Sequence, residues 1–241
     1  MEASKNLLIL RDNILEFCNS RGDILGFCGR ISKTLRYKSN PAQRQPVQKL
    51  VNEINPPKFP KTRTIQEDII RATYELKWNT TYSENEVGTD FIKRYGWFDL
   101  IGPNGLFYMS GTRILIGYWG ANLEYQMHWH EAEEAYVPLA GTALFWPKIS
   151  GEKIADVGDI VTHKSNEKHW TKMNNGCLLA LAIWKGTDLS INPTIFSRDG
   201  TKMYEVTEKK MNSLGGLLCI VILFSMLRHI QLTPIFLRYT K

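Results

Sequence analysis

The sequence lacks the cysteine spacing of a disulfide framework or a zinc knuckle. Its four cysteines, Cys18, Cys28, Cys177 and Cys219, form no CxxC pair and stand among apolar neighbours. Isolated cysteines of this kind behave as small buried hydrophobic residues. The pattern favours a reducing compartment, and we expect the protein to be cytoplasmic.

The chain also lacks a cluster of basic residues. Its net charge is +6, yet the lysines and arginines are spread along the chain. Nucleic-acid binding needs a clustered basic stripe, so we expect no nucleic-acid partner. We expect no export signal at the N-terminus, because Arg11 and Asp12 interrupt it before an apolar core of signal-peptide length develops.

No apolar run reaches the roughly 20 residues that a helix needs to cross a bilayer. The nearest is Leu214–Leu227, which has no charged residue and lies in a C-terminal extension, residues 191–241. Three interpretations stay open for it. It is a tail anchor or re-entrant segment that gives weak membrane association, a buried helix, or a non-native tail from a mispredicted gene model.

The N-terminal region, residues 1–95, has the apolar spacing of amphipathic helices. Between Leu7 and Tyr37 apolar residues recur at steps of three and four, and a further helical segment runs from Ile65 to Trp78. Prolines such as Pro41 interrupt the chain between these segments. We therefore predict a helical region that packs on the C-terminal remainder of the chain.

Residues 96–190 have the character of a β-barrel. Short runs rich in aromatic and β-branched residues alternate with turn signals such as Pro103-Asn104-Gly105 and Ala140-Gly141-Thr142. The predicted strands cover residues 106–109, 113–119, 135–139, 143–146, 160–163 and 178–184. Many short strands with regular turns indicate an all-β sandwich or barrel.

The residues that indicate chemistry begin at His128. On a strand His128 and His130 point to the same side, and so do Glu134 and Tyr136 further along. A turn at residues 131–133 would bring two imidazoles and a carboxylate to one point. Such a donor set suits Fe, Zn, Mn or Ni as a divalent ion, with positions left free for substrate.

A fourth ligand is expected from a distant strand. After a tight turn at Gly158-Asp159 one strand follows, and His169 begins the return strand. His163 is the competing candidate. We prefer His169, because the length of the turn and strand places it level with the first cluster.

The pattern HxHxxxE followed by Gly141, with a later Gly158 and His169, resembles the two motifs of the cupin superfamily. Asn166 stands where cupins usually have glycine. The resemblance implies an all-β cupin barrel, a double-stranded β-helix or jelly roll, preceded by an α-helical N-terminal region. Within cupins the segments His130–Tyr136 (HEAEEAY) and Leu179–Gly186 (LALAIWKG) are similar to the dimethylsulfoniopropionate (DMSP) lyases of the DddL type.

That resemblance implies a carbon–sulfur lyase that splits DMSP into dimethyl sulfide and acrylate by β-elimination. Tyr136 matches the position of the family's catalytic tyrosine and would be the base. The substrate is a small sulfonium carboxylate, and aromatic rings bind such cations. Near the predicted strands we favour Tyr125, Trp146 and Trp184 for this role.

Two other functions stay open at this point. Another small-molecule cupin enzyme, such as an Fe(II) dioxygenase, would use the same ligands but would need oxygen. A non-catalytic ligand-binding cupin would usually have lost a metal ligand, whereas all four are present here. Cupins are often homodimers, and a homodimer is an open expectation.

Deleting residues 214–241 should leave the barrel folded, because the predicted core ends before this segment. Circular dichroism and thermal unfolding of the truncated protein would check this. Loss of cooperative unfolding after truncation would show that the segment belongs to the core.

Overall fold

The computed structural model describes residues 2–54, 60, 62–147, 151–196 and 203–204, with only the backbone of 196, 203 and 204. All of these residues belong to one compact unit, Met1–Glu205. The apolar segment Leu214–Leu227 and Cys219 lie outside the described residues. Within the described ranges, no helix combines the length and the apolar character needed to span a membrane.

Short helices make up most of the N-terminal region. They are α1 (Lys5–Ser20), α2 (Gly22–Cys28), α3 (Val47–Asn52), α4 (Arg63–Ala72), α5 (Glu84–Val87) and α6 (Thr89–Arg94). Helix α1 begins at Ser4, whose side chain accepts a hydrogen bond from the backbone N–H of Leu7. It buries Leu7, Leu10 and Ile14 on one face, as the spacing predicts.

The helical prediction is wrong beyond Cys28. Helix α2 ends at Gly29, whose φ of 72° is open to glycine at little cost. The chain then reaches a short strand, β1 (Arg36–Tyr37). Ile31 is nevertheless fully buried. Residues beyond the helix thus keep the apolar spacing because they are buried, although their backbone is no longer helical.

The remaining strands form two antiparallel-rich sheets. They are β2 (Tyr95–Gly102), β3 (Phe107–Tyr108), β4 (Thr112–Trp119), β5 (Glu124–Trp129), β6 (Glu133–Ala140), β7 (Ala143–Pro147), β8 (Lys153–Ala155), β9 (Val161–His163), β10 (His169–Met173), β11 (Leu178–Lys185), β12 (Thr194–Phe196) and β13 (Met203–Tyr204). One sheet has the order β1-β3-β2-β4-β11-β6-β9, and the other β13-β12-β5-β10-β7-β8. The predicted all-β cupin fold, preceded by a helical region, is confirmed.

Both faces of the first sheet are buried at its centre, where every residue of β4 is buried. One face carries Ile116, Val137 and Leu181, which belong to one apolar core with residues of α1 and α4. Because side chains alternate along a strand, the residues between them face the other way, into the barrel. This double burial explains why β4 and β11 read as nearly continuous apolar runs.

Helix α4 is tied to the strand that carries Glu134. The side chains of Thr62 and Gln66 both donate to the backbone carbonyl of Leu139, on β6, and all three residues are buried. Two donors on one buried carbonyl hold the start of α4 against β6. The helical region therefore fixes the outer side of the barrel at β6.

The cysteines within the described ranges are free thiols, namely Cys18, Cys28 and Cys177. Burial raises the pKa of the Cys18 thiol to about 12, which makes it unreactive. Cys18 agrees with the prediction of isolated, buried cysteines, whereas Cys28 and Cys177 are isolated but only half-buried.

Gly141→Ala should destabilise the protein strongly. Gly141 has a φ of 77°, and a Cβ there would lie 1.8 Å from the carbonyl oxygen of Cys177. We expect the free energy of unfolding, measured by urea titration, to fall by about 3 kcal/mol or more.

The matched control is Gly111→Ala. Gly111 has the same φ of 77°, but a Cβ there meets no atom within 4 Å. This variant should lose only the backbone cost of about 1–2 kcal/mol. Equal losses in the two variants would show that the contact with Cys177 carries no weight.

Candidate metal centre

The candidate ligands come from both sheets of the barrel. His128 on β5 and His169 on β10 are directly opposed in the register of one sheet. Glu134 is the second residue of β6 in the other sheet, and His130 lies in the turn between β5 and β6. The short turn at residues 130–132 therefore carries the chain from one sheet to the other, one residue earlier than predicted, so that His130 lies in the turn and not on the strand with His128.

The ligand atoms of these residues lie close together. Those of His128, Glu134 and His169 are all within 4.8 Å of one another. The Nε2 atom of His130 is 3.2 Å from Oε2 of Glu134, and Nε2 of His169 is 3.3 Å from the same oxygen. All four side chains are buried. The structure thus brings the four predicted ligands together.

Hydrogen bonds orient the three imidazole rings in the same way. In each ring Nδ1 lies 2.7–2.9 Å from a backbone carbonyl oxygen, which can only accept a hydrogen bond. The carbonyls are those of Gln126, Ala132 and Glu167. Each Nδ1 therefore donates, and when the ring is neutral its Nε2 keeps a lone pair, as in histidines that bind metal ions.

Two of these Nε2 atoms, in His128 and His169, are buried and accept no hydrogen bond within the described structure. Buried polar atoms without a partner are rare and need an explanation. A divalent cation between His128, His130, Glu134 and His169 supplies one. Imidazole nitrogen with carboxylate oxygen suits Zn, Fe, Mn or Ni, so the residues fit the expected cofactor.

The charge states also match those of a metal site. Burial, assisted by the neighbouring His169, holds the pKa of His128 well below its usual value, so this ring is neutral. Burial alone would raise the pKa of Glu134, but His130 and His169 outweigh it and hold that pKa well below the usual range. A neutral imidazole and an ionised carboxylate are the forms that bind a cation.

His163, the competing candidate, lies behind His169. The two rings are stacked, with centroids 4.0 Å apart and planes 12° apart. Burial, together with the smaller effect of His169, lowers the pKa of His163 to about 3. Its ring nitrogens lie outside the group of ligand atoms formed by His128, Glu134 and His169. His130 also lies outside that group, but its Nε2 is 3.2 Å from Oε2 of Glu134, whereas neither nitrogen of His163 has a hydrogen-bond partner among the described residues. The structure therefore places His169 in the cluster and His163 against its ring.

A narrow cavity with a volume of about 30 Å³ lies next to the ligands. Its aromatic lining consists of Tyr95, Trp97, Trp119, Tyr125, Tyr136 and Trp184, and Glu134 also reaches it. The metal ligand and the expected base thus share one cavity.

Tyr136 keeps its proton in this environment. Burial raises its pKa well above the usual value, and the charge of Glu134 and a hydrogen bond to it raise it further. A phenol in this position becomes a base only when positive charge enters the site.

The three aromatic residues predicted to bind the sulfonium end have different places. Tyr125 and Trp184 line the cavity. Trp146 does not: it is stacked on Trp170, with ring centroids 6.2 Å apart, and both rings are only half-buried. On β7 the inward positions are those of Ala143 and Phe145. Trp146 therefore lies on the outer side of the barrel, away from the other two.

The Trp184 ring is packed between His130 and Arg113, which limits its availability to bind the sulfonium. The ring is stacked on His130, with centroids 4.1 Å apart, and the Arg113 guanidinium carbon lies 4.9 Å from its centroid. The indole N–H donates to Oε1 of Glu134 at 2.6 Å. Trp184 thus holds the candidate ligand Glu134 in place, a role that the sequence did not indicate.

The sequence interpretation gave no role in the site to several residues that line the cavity, among them Tyr95, Trp97 and Arg113. Tyr95 belongs to the segment Arg94-Tyr95-Gly96 and opens β2 with its ring 5.7 Å from that of Trp119. A strand signal at residues 95–102 would have placed Tyr95 on the cavity side. Nothing in the local pattern marks Arg113, because its partner Asp99 lies on another strand.

Asn166 replaces the usual glycine of the second motif without loss of loop shape. Its φ is 58°, a left-handed conformation that asparagine adopts more readily than most residues. Its backbone N–H donates to the carbonyl of His130 at 2.8 Å. The loop before His169 is thereby fixed to the turn that carries His130.

Comparison with known proteins finds one matching family model, described as dimethylsulfoniopropionate lyase, over residues 21–180. The DMSP lyase DddQ of Ruegeria pomeroyi is 33% identical over 136 residues, which are 56% of this chain and 67% of that protein.

Two crystal structures share the fold over most of the chain. A chain from the structures of the DMSP lyases RdDddP and RnDddQII has a TM-score of 0.76 and 28% identity, covering 79% of this chain and 97% of that one. The structure of DddQ from Ruegeria pomeroyi has a TM-score of 0.75 and 26% identity, covering 80% and 97%.

His130→Ala and His169→Ala should lose bound metal. Each variant removes a candidate ligand nitrogen from the cluster. Mutation of a residue that only orients a ligand lowers metal affinity by roughly 10- to 100-fold, and we expect a larger loss here. Elemental analysis of the purified, folded proteins would measure this.

His163→Ala is the control, since it removes a buried imidazole that stands outside the ligand group. It should keep the metal content of the unmodified protein. Loss of metal in His163→Ala with retention in His169→Ala would reverse the assignment.

Proposed function

This chain belongs to the dimethylsulfoniopropionate lyase family and is a carbon–sulfur lyase, and we propose that it cleaves DMSP to dimethyl sulfide and acrylate with Tyr136 as the base. The family predicted from the sequence is confirmed. The relatives named above are of the DddQ type, whereas the sequence motifs were most similar to the DddL type. The observation that carries the proposal is one cavity shared by Tyr136 and Glu134.

The proposed reaction is a β-elimination. Tyr136 takes a proton from the carbon next to the carboxylate, and the electron pair of that C–H bond forms the double bond of acrylate. The C–S bond breaks, and its electrons leave with sulfur as neutral dimethyl sulfide. This leaving group needs no acid, so one base is enough. The proton that Tyr136 gains is then released to solvent.

The proposed cofactor is a divalent transition metal, Fe, Zn, Mn or Ni, held by His128, His130, Glu134 and His169. When bound, such an ion supplies Lewis-acid polarisation of the substrate carboxylate, which makes the neighbouring proton more acidic. Its charge and that of the sulfonium also favour the phenolate of Tyr136, whose pKa is otherwise raised.

The sulfonium end fits the aromatic wall of the cavity. Tyr95, Trp119 and Tyr125 form a cluster in which the ring centroids are 5.7–5.8 Å apart. Each suitably placed aromatic face contributes roughly 0.5–2 kcal/mol to the binding of a cation. We propose that Tyr125 and its neighbours bind the sulfonium, while Trp184 contributes its edge and its hydrogen bond to Glu134.

The expected compartment agrees with the described thiols. Cys18, Cys28 and Cys177 are free, which is usual for proteins kept in a reducing environment. We propose a cytoplasmic location on this basis. The homodimer and the role of the C-terminal extension stay predictions.

Headspace gas chromatography of the purified protein with DMSP tests the function. We expect dimethyl sulfide and acrylate in equal amounts under argon, loss of activity after treatment with a chelator, and recovery when metal is restored. A requirement for oxygen would favour the dioxygenase alternative. Absence of dimethyl sulfide from metal-loaded protein would contradict the lyase.

Tyr136→Phe should keep its metal and lose turnover by about 10²- to 10⁴-fold, the usual contribution of a positioned base. Steady-state kinetics and metal analysis of the same sample would show both. The control is Tyr118→Phe, because Tyr118 is a buried tyrosine on the side of the sheet that packs against the helices. Full turnover in Tyr136→Phe would remove Tyr136 from the mechanism.

A further inference from the structure

A row of side chains crosses the inner face of the first sheet and ends at the metal centre. In the register of the strands Arg113 on β4 is opposite Trp184 on β11, and Trp184 is opposite Glu134 on β6. Asp99 on β2 extends the row through its contact with Arg113. Four neighbouring strands thus each contribute one side chain directed into the barrel.

Arg113 is held at three of its nitrogen atoms. Its Nε and Nη2 donate to the two carboxylate oxygens of Asp99 at 2.6 and 3.0 Å, and Nη1 donates to the backbone carbonyl of Leu189 at 3.2 Å. The side chain is 4% exposed. A planar fork on a carboxylate fixes the plane of the guanidinium as well as its position.

The fixed guanidinium lies against two indole rings. Its central carbon is 4.9 Å from the ring centroid of Trp184 and 5.1 Å from that of Trp97. Trp184 also contacts the ring of His130. The indole of Trp184 is therefore confined between Arg113 and a metal ligand, with its N–H directed at Oε1 of Glu134.

The hydrogen bond from Trp184 decides which oxygen of Glu134 faces the histidines. Oε1 accepts from the indole at 2.6 Å, and Oε2 lies 3.2–3.3 Å from Nε2 of His130 and His169. If the indole of Trp184 turned, either carboxylate oxygen of Glu134 could face the two histidines. The position of the metal-binding oxygen thus depends on the plane of Trp184.

We propose that Asp99 and Arg113 form a positioning unit for the metal centre, acting on Glu134 through Trp184. This inference rests on the proposed function, because it assumes that Glu134 binds a metal ion. Replacing a buried ion pair by apolar residues is often neutral or stabilising. Stability alone therefore does not require an arginine and an aspartate here, whereas orientation of the indole does.

The test measures metal binding rather than turnover. Metal-free protein is titrated with Co²⁺ in competition with a chromophoric chelator, and the visible spectrum of the cobalt protein reports the ligand geometry. Arg113→Lys keeps the charge but loses the planar fork. We expect about tenfold weaker Co²⁺ binding, at the lower end of the effects known for groups that orient ligands, and an altered spectrum.

Arg94→Lys is the matched control. Arg94 also forms a forked pair with an aspartate, Asp90, but at the surface and outside the cavity. The same chemical change there should leave the Co²⁺ affinity and the spectrum unchanged. An equal loss in both variants would show a general effect of arginine replacement and would overturn the proposal.

A double variant separates positioning from mere structural support. Trp184→Phe removes the indole N–H and should itself weaken Co²⁺ binding. If Arg113 acts through Trp184, then adding Arg113→Lys to Trp184→Phe should cause no further loss. Additive losses would overturn the proposal.

Asp99→Asn is the second variant if Arg113→Lys does not fold, and it should weaken Co²⁺ binding in the same direction. Unchanged affinity and spectrum in a folded Arg113 or Asp99 variant, with tight binding by the unmodified protein, would overturn this inference alone. Failure of the unmodified protein to bind Co²⁺ would contradict the proposed function and this inference with it.

Discussion

The structure depends on one buried carboxylate between two sheets. Glu134 is 1% exposed, and a buried charge without compensating partners costs several kcal/mol. Its partners come from every side: the indole of Trp184 from the same sheet, His169 from the facing sheet and His130 from the turn between them. Because Trp184 and His169 lie far from Glu134 in sequence, satisfying Glu134 requires the two sheets of the barrel to close around it.

The central sheet separates support from chemistry by the alternation of its strands. The side chains that face the helices, such as Ile116 and Leu181, are apolar and form one core with them. The side chains that face the barrel include Arg113, Trp184 and Glu134, which meet in one cavity. The helices therefore stabilise the strands that carry the site without contributing to the metal ligands.

Some of the fold was predictable and some was not, for physical reasons. The strand prediction succeeded for β4 and β11, since turn signals delimit long apolar runs. The helical prediction failed after Cys28 because apolar spacing records burial rather than backbone conformation, and Gly29 ends the helix while Ile31 remains buried. The strand at Tyr95–Gly102 was not predicted, and with it the place of Tyr95 in the cavity was missed.

The sequence by itself determined the local parts of the site. The turn between His128 and Glu134 and the short strand before His169 are local features of the chain, although His130 lies in that turn and not on β5 with His128. Tertiary structure decided which side chains come into contact across neighbouring strands. The register that sets Arg113 opposite Trp184 and Trp184 opposite Glu134 joins segments about 50 to 70 residues apart, and no local period encodes such a pairing. The same reason explains Trp146, whose side of the barrel depends on how β7 pairs with its neighbours.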